Sequence, residues 1–240
     1  TYNDISAHAK MKNHNAEIAL SSDNKGADFD IMACCKFDKS SLQWDVNADI
    51  RKFDLYAFKL MEQHASLEAM FNSNGVLDVE KRELRGVLQI DDVDWRSDSL
   101  NLAVKDINAK LMASDSVINV ALRNNDMYAF MSTPDKIDSL PIKVGNLTEI
   151  LSQQIIARKV DVVQIQQAMP RFNLIMKAGP NNLLSQYLST MDQSFNRLSL
   201  KMSNDSLINL SAQVNEYKMG STRIDTINLS ANQYDKILMY

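Results

Sequence analysis

The side chains able to do chemistry are few, and their spacing assembles no reaction. His8, His14 and His64 are the only histidines. His8 and His14 can approach across a turn, but no cysteine or second histidine pair stands at ligand spacing, so they read as surface histidines. The two cysteines are neighbours, Cys34 and Cys35, in the run Phe29-Asp30-Ile31-Met32-Ala33-Cys34-Cys35-Lys36-Phe37. A strand there sends them to opposite faces, which disfavours a bridge and leaves Cys35 a small buried apolar group and Cys34 half-exposed. Asp91, Asp92 and Asp94 have the chemistry to hold a hard cation, yet at a strand end they read as solvated carboxylates. There is no P-loop, dinucleotide-binding glycine pattern, nucleophile elbow or paired-histidine helix motif, and six glycines leave little from which to build a phosphate cradle. No enzyme, cofactor or metal is expected.

Composition narrows the remaining classes. The chain has 240 residues, 45% of them hydrophobic, enough for one large or two small domains with a core. Lys and Arg number 26 against 30 Asp and Glu, for a net charge of −4 and no block of five like charges, so nucleic acid is not an expected partner. No apolar stretch approaches the roughly 18 to 20 residues of a spanning helix, and no signal-peptide pattern opens the chain. Glycine and proline are scarce, 6 and 4 residues, whereas Asn, Asp and Ser together make roughly 28%.

Positioning elements follow from periodicity. From Ile5 to about Ile90 apolar and polar residues alternate in runs of about 5 to 7, the signature of strands with one buried face. Leu42, Trp44, Val46, Ala48 and Ile50 show it best; Ala65, Leu67, Ala69 and Phe71, then Leu84, Gly86, Leu88 and Ile90, repeat it. The segments 21–26, 39–41 and 72–75, rich in Ser, Asn, Asp and Gly, read as turns between them, giving an antiparallel meander. A weak repeat then places an acidic-hydroxyl pair before each strand: Asp98-Ser99, Asp115-Ser116, Asp205-Ser206 and Asp225-Thr226. Such pairs hydrogen-bond their own backbone at turns, which suits a sheet growing hairpin by hairpin; an ordinary β-sandwich is the competing account.

The middle third changes period. Asn146 with Glu149 resembles a helix start, with Leu147, Ile150, Leu151 and Ile155 following. A second helix is predicted from Asp161 to Met169, stopped by Pro170. A strand covers Phe172 to Lys177, and a third helix, capped by Asn181 or Asn182, carries the stripe Leu184, Tyr187, Leu188 and Met191. Strands resume from Phe195 and run to the last residues, so the chain is expected to be a piece of something longer. The predicted division is a β-segment over 1–145, a helical insert with one strand over 146–194, and a continuing β-segment over 195–240.

A strongly twisted, curved sheet with aliphatic side chains on one face presents a channel for acyl chains, each buried methylene contributing about 0.8 kcal/mol. The same face also suits a dry core against a second sheet. The expected lining is Leu42, Trp44 and Val46, then Leu100, Leu102 and Val104, then Ile118, Val120 and Leu122, and finally Leu198, Leu200 and Leu210, all apolar contacts and none a catalyst.

The segment Ala178-Gly179-Pro180-Asn181-Asn182-Leu183-Leu184-Ser185-Gln186-Tyr187-Leu188 resembles the Ala-Gly, Asn, Leu, Tyr-Leu segment of TamB proteins of Bacteroidetes-type bacteria, departing from it at Pro180, where a basic or polar residue is usual. Asn47-Ala48-Asp49-Ile50 with Phe53-Asp54-Leu55-Tyr56-Ala57-Phe58, and Ser221 to Leu229, are similar to the family's strand-and-turn units. The resemblance implies a mainly β fold of the AsmA-like superfamily: an elongated, twisted antiparallel sheet curled into a U-shaped groove, a β-taco, with a small helical insert. It implies a periplasmic segment of a Gram-negative inter-membrane protein, anchored in the inner membrane through a helix outside this chain. The implied role is phospholipid transport between the two membranes, with assembly of outer-membrane β-barrel proteins beside an Omp85-type partner, and so protein secretion and outer-membrane biogenesis, as the alternative. A carbohydrate-binding β-sandwich is a third reading, which requires exposed aromatics on a polar face.

Overall fold

Period-two patterning becomes a single antiparallel sheet. The computed structural model describes residues 5–98, 100–136, 139–205, 207–234 and 237–239, without the side chains of 140, 234 and 237–239. The strands are β1 (Ile5–Lys12), β2 (Asn15–Asn24), β3 (Ala27–Phe37), β4 (Ser41–Asp54), β5 (Ala65–Asp78), β6 (Glu83–Ser97), β7 (Asn101–Val104), β8 (Ile107–Ala113), β9 (Ile118–Asn124), β10 (Met127–Thr133), β11 (Phe172–Ala178), β12 (Gln193–Ser194), β13 (Arg197–Asn204), β14 (Ile208–Met219), β15 (Thr222–Tyr234) and β16 (Ile237–Met239). Helices α1 (Leu140–Ala157), α2 (Val162–Ala168) and α3 (Leu183–Ser189) interrupt them. All strands join one 16-stranded sheet in nearly sequential order, from β1 at one edge to β16 at the other, with β7 paired on β6 and β12 on β14. Among the described residues the sheet is open and not closed into a barrel, and β11 carries it without a break between β10 and β13.

The accessible surface is 15863 Å². A compact monomer of 27.1 kDa exposes about 10,800 Å². The excess follows from the architecture, since strands pack chiefly on their sheet neighbours.

Scarce glycine is explained at the turns. Among the described residues the left-handed conformations fall on Asn13, His14, Asp106, Asn125 and Asp192, types that tolerate positive φ, on Lys59, Arg82, Asp92, Arg158 and Glu216, and on one glycine, Gly220. Asp98, Asp115 and Asp205 occupy turns before β7, β9 and β14, with Ser99 and Ser206 of the repeat outside the described residues, but Asp225 and Thr226 lie inside β15.

The turn expected at 72–75 is also corrected. Asn72, Ser73, Asn74 and Gly75 sit in the interior of β5, and β4, β5 and β6 run 14, 14 and 15 residues. The reason is Trp44. Its register partner is Gly75, whose own partner across the next ladder is Gly86. The indole lies over Gly75 where a Cβ would stand and within 3.3 Å of a Cβ position on Gly86, while its Nε1 donates to Ser73 Oγ at 3.2 Å. Residues that look like turn formers are the small ones that a flat-lying tryptophan requires.

The helix boundaries shift as well. α1 starts six residues before Asn146, behind Ser139 and with proline in its first turn, where a fixed φ is already helical. α2 and α3 are capped by Asp161 and Asn182, whose side chains accept from the Gln164 and Ser185 N–H. Of the predicted α3 stripe, Leu184 and Leu188 pack on the sheet, whereas Tyr187 and Met191 are exposed and Met191 lies beyond the helix.

A methyl group at Gly75 would overlap the Trp44 ring and stand 2.5 Å from the Arg85 carbonyl oxygen. Gly75→Ala is therefore expected to destabilise the sheet by about 2 kcal/mol, read as a lower urea midpoint, and adding Trp44→Ala restores only part of the loss because the carbonyl contact remains.

Candidate functional site

Strand register decides which side chains share a surface. One rung crosses the sheet through Ala9, Ile18, Ala33, Val46, Ser73, Leu88, Ala109, Leu122, Ala129, Met176, Leu200, Ala212 and Leu229. Ser73 is its one polar member. The adjacent rung, two residues along each strand, runs through Met11, Ala16, Cys35, Trp44, Gly75, Gly86, Leu111, Val120, Met131, Leu174, Met202, Leu210 and Ala231, with no polar side chain. Successive strands repeat the same parity, so thirteen of them put their apolar phase on one side.

The residues expected to line a channel all meet on this face or at its rim. Leu42, Trp44 and Val46 share a face of β4, and Leu102 and Val104 oppose Trp95 and Val93 of β6. Ile118, Val120 and Leu122 lie on β9, Leu198 and Leu200 on β13, and Leu210 on β14. Leu100 sits in the turn before β7, where its N–H donates to Ser97 Oγ. They differ in access. Val104 and Ile118 are 1% and 3% exposed, packed at strand ends, whereas the other ten are half-buried. The alternation in β10 and β11 carries the same signal, and the face gains Met127, Met131, Leu174 and Met176 from it, residues outside the expected set. Cys35 faces this side and Cys34 the other, both as free thiols.

Helices close the two rims beside strands β9 to β13. At one rim Met127, Ala178 and Phe195 form the core cluster, with Leu184 and Leu188 of α3 packed on it. Polar side chains hold the helix there. Fully buried Asn124 accepts from the Leu183 N–H at 2.6 Å and donates to the Lys105 carbonyl. Asn182 donates to Asp126 Oδ1 at 2.6 Å and to the Gly179 carbonyl at 2.7 Å. Gly179 is needed because a Cβ there would strike the Asp126 carboxylate. At the opposite rim Asn204 donates to the carbonyls of Met169 and Pro170 where α2 ends, and its Oδ1 is buried without a partner among the described residues. Asp135, almost fully buried, accepts from Lys143 Nζ at 2.8 Å and from the Arg171 N–H at 3.0 Å. Burial pushes its carboxyl up, but the bonds from Lys143 and Arg171 outweigh that and hold it below the usual carboxylate range.

No protein-family model matches the chain, and neither a curated protein nor a solved structure does. The carboxylates at 91, 92 and 94 are divided among partners: Asp91 accepts from Gln89, Asp92 pairs with Lys105 and Asp94 with Arg96. His64 lies tilted against Tyr56, ring centroids 4.0 Å apart, far along the chain from His8 on β1 and His14 in the first turn. Arg51, within the bulge of β4, gathers Asp28, Asp30 and Asp49 on the polar face, and these contacts raise its already high pKa. What the apolar face offers is contact with something apolar.

Two outcomes test the rims. Asn182→Ala removes the α3 cap and a buried bond to Asp126, so it costs about 2 kcal/mol and raises amide exchange over 183–189 before the sheet opens. For Asp135, whose folded pKa lies below its unfolded value near 4, the stabilisation is fully present above that value. It is lost as pH falls through the lower folded value; Asp135→Asn should flatten this acid limb of the unfolding curve, followed by circular dichroism.

Proposed function

We propose that the apolar face lines a trough for acyl chains and that the chain is a non-catalytic, TamB-like segment carrying phospholipid between inner and outer membranes in the periplasm of a Gram-negative bacterium. In this reading the sheet curls across its strands into a U, the β-taco, with the two rims at the strand ends. The observation that carries it is the pair of adjacent rungs, twenty-six positions with Ser73 as the one polar side chain. An acyl chain lying along such rungs meets hydrocarbon at every strand and no unsatisfied polar group. The half-burial of the ten lining residues, in a sheet with no second sheet on it, supports inward curvature, which makes neighbouring side chains shelter one another.

A second reading, a scaffold for outer-membrane β-barrel assembly with an Omp85-type partner, is favoured by one feature. Among the described residues β1 is exposed along its length and pairs with β2 alone, the kind of edge to which a client strand adds.

Native mass spectrometry of the purified chain is expected to detect bound phospholipid, and Val120→Asp is expected to lower its occupancy at least tenfold while cooperative unfolding persists. A charge in the middle of the rung meets the acyl chain, not a facing sheet. If Val120→Asp instead unfolds the protein, a packed core is the better account; cross-links from β1 to a barrel protein without bound lipid favour the scaffold.

A further inference from the structure

The lining leaves unused the most conspicuous surface of the molecule, the tip of the α1–α2 hairpin. Ile155, Ile156 and Val160 there are 75%, 83% and 72% exposed. Between them stand Arg158 and Lys159, both exposed and without an ion pair among the described residues. The tip is built, not frayed. Arg158 adopts a left-handed conformation, and its N–H closes α1 on the carbonyls of Gln154 and Ile155. Gln154 then bridges the two helices: its Oε1 accepts from the Asp161 N–H at 2.8 Å and its Nε2 donates to Gln164 Oε1 at 3.0 Å. The nearby negative charge, Asp161, is turned to α2, where its carboxylate caps the helix through Gln164. The root is equally fixed, by Lys143 on Asp135 and by Asn204 on the end of α2. A stiff stalk therefore holds three aliphatic side chains and two cations out from the rim of the sheet.

We infer that this tip seats in the surface of an anionic lipid bilayer. Aliphatic side chains enter the headgroup and acyl boundary, and long basic side chains beside them reach lipid phosphates, so the composition fits that surface on both counts. A protein groove fits less well: a stable interface covers about 800 Å² on each partner and is enriched in aromatic residues, whereas six tip residues, 155–160, include none. A second copy fits worse, because apposed tips bring Arg158 and Lys159 of both against each other. The inference stands apart from the acyl trough, and it places a membrane contact inside this chain, where the family resemblance puts it outside.

The test is co-sedimentation of the 240-residue chain with vesicles of phosphatidylcholine containing phosphatidylglycerol, against vesicles of phosphatidylcholine alone. Binding is expected to the anionic vesicles, to fall at least tenfold in Ile155→Ser/Ile156→Ser, and to fall about fivefold for each charge in Arg158→Glu/Lys159→Glu. All substitutions are exposed, so circular dichroism and phospholipid co-purification should not change, which separates this result from failure of the trough. Absence of sedimentation by the wild-type chain, equal sedimentation by the Ser/Ser variant, equal binding to both vesicles, or photo-cross-links from residue 156 to protein alone would each overturn it.

Discussion

The constraint from which the rest of this structure follows is phase. Side chains alternate with period two, so a slip of one residue at any turn sends the apolar set of a strand to the wrong side. Here the parity is kept from β1 to β15. Where β3, β4, β5 and β6 leave regular pairing, they do so together: register shifts follow at Asp28/Phe29, Ile50/Phe53 and Glu68/Met70. Beyond the shifts Phe53, Leu67 and Trp95 stand in one row again. Stacked bulges therefore bend four strands at one place without moving their apolar residues across the sheet. Arg51 occupies the bulge on the outer side and ties it with Asp28, Asp30 and Asp49, a cross-strand network that a regular ladder does not bring together.

A sheet that presents one apolar face must also manage the ends of that face, where chain leaves for helices and backbone groups lose their ladder partners. Asparagine does this work at three positions that are at most 1% exposed, Asn124, Asn182 and Asn204. Each has a donor and an acceptor on a short stem; Asn124 and Asn182 use both on backbone groups and Asn204 uses its donor, from inside a rim that water cannot reach. Asn204 meets carbonyls left over at the end of α2, and Asn124 meets the first N–H of α3. The high asparagine content, which at first suggests only turns, thus has two separate uses.

Much of the sheet was legible because alternation is a backbone property that tertiary contacts rarely override. β4, the helices capped by Asp161 and Asn182, and the opposite orientations of Cys34 and Cys35 follow directly from it and from cap chemistry. What escaped had non-local causes. The interior of β5 reads as a turn because Ser73 and Gly75 are judged by local propensity, while their reason is a tryptophan on the neighbouring strand. The start of α1 was hidden because a proline that ends helices in most positions opens this one. Val104 and Ile118 share the parity of the lining but are packed at strand ends, and parity carries no information on depth. The exposed hairpin tip has no signature at all in periodicity, since its isoleucines belong to the same pattern that predicts the helix.

An apolar face alone does not separate an open trough from half of a sandwich, but the sizes along it bear on the choice. On the first rung small and large residues take turns for much of the way: Ala9, Ile18, Ala33 and Val46, then Ala109, Leu122, Ala129 and Met176. On a concave surface side-chain tips converge, and alternation of this kind lets each large residue lean over a small neighbour. Sheets packed face to face about 10 Å apart interdigitate and use alternation too, so the neighbouring rung bears more on the choice. The next rung makes its room differently, with Trp44 laid flat over Gly75 and Gly86 so that its bulk adds breadth and not height. Methionine at 131 and 202 supplies unbranched side chains that adapt to an irregular occupant better than they specify a fixed core. Low relief and adaptable side chains are what a floor requires if the space above it is to be filled by a chain that slides.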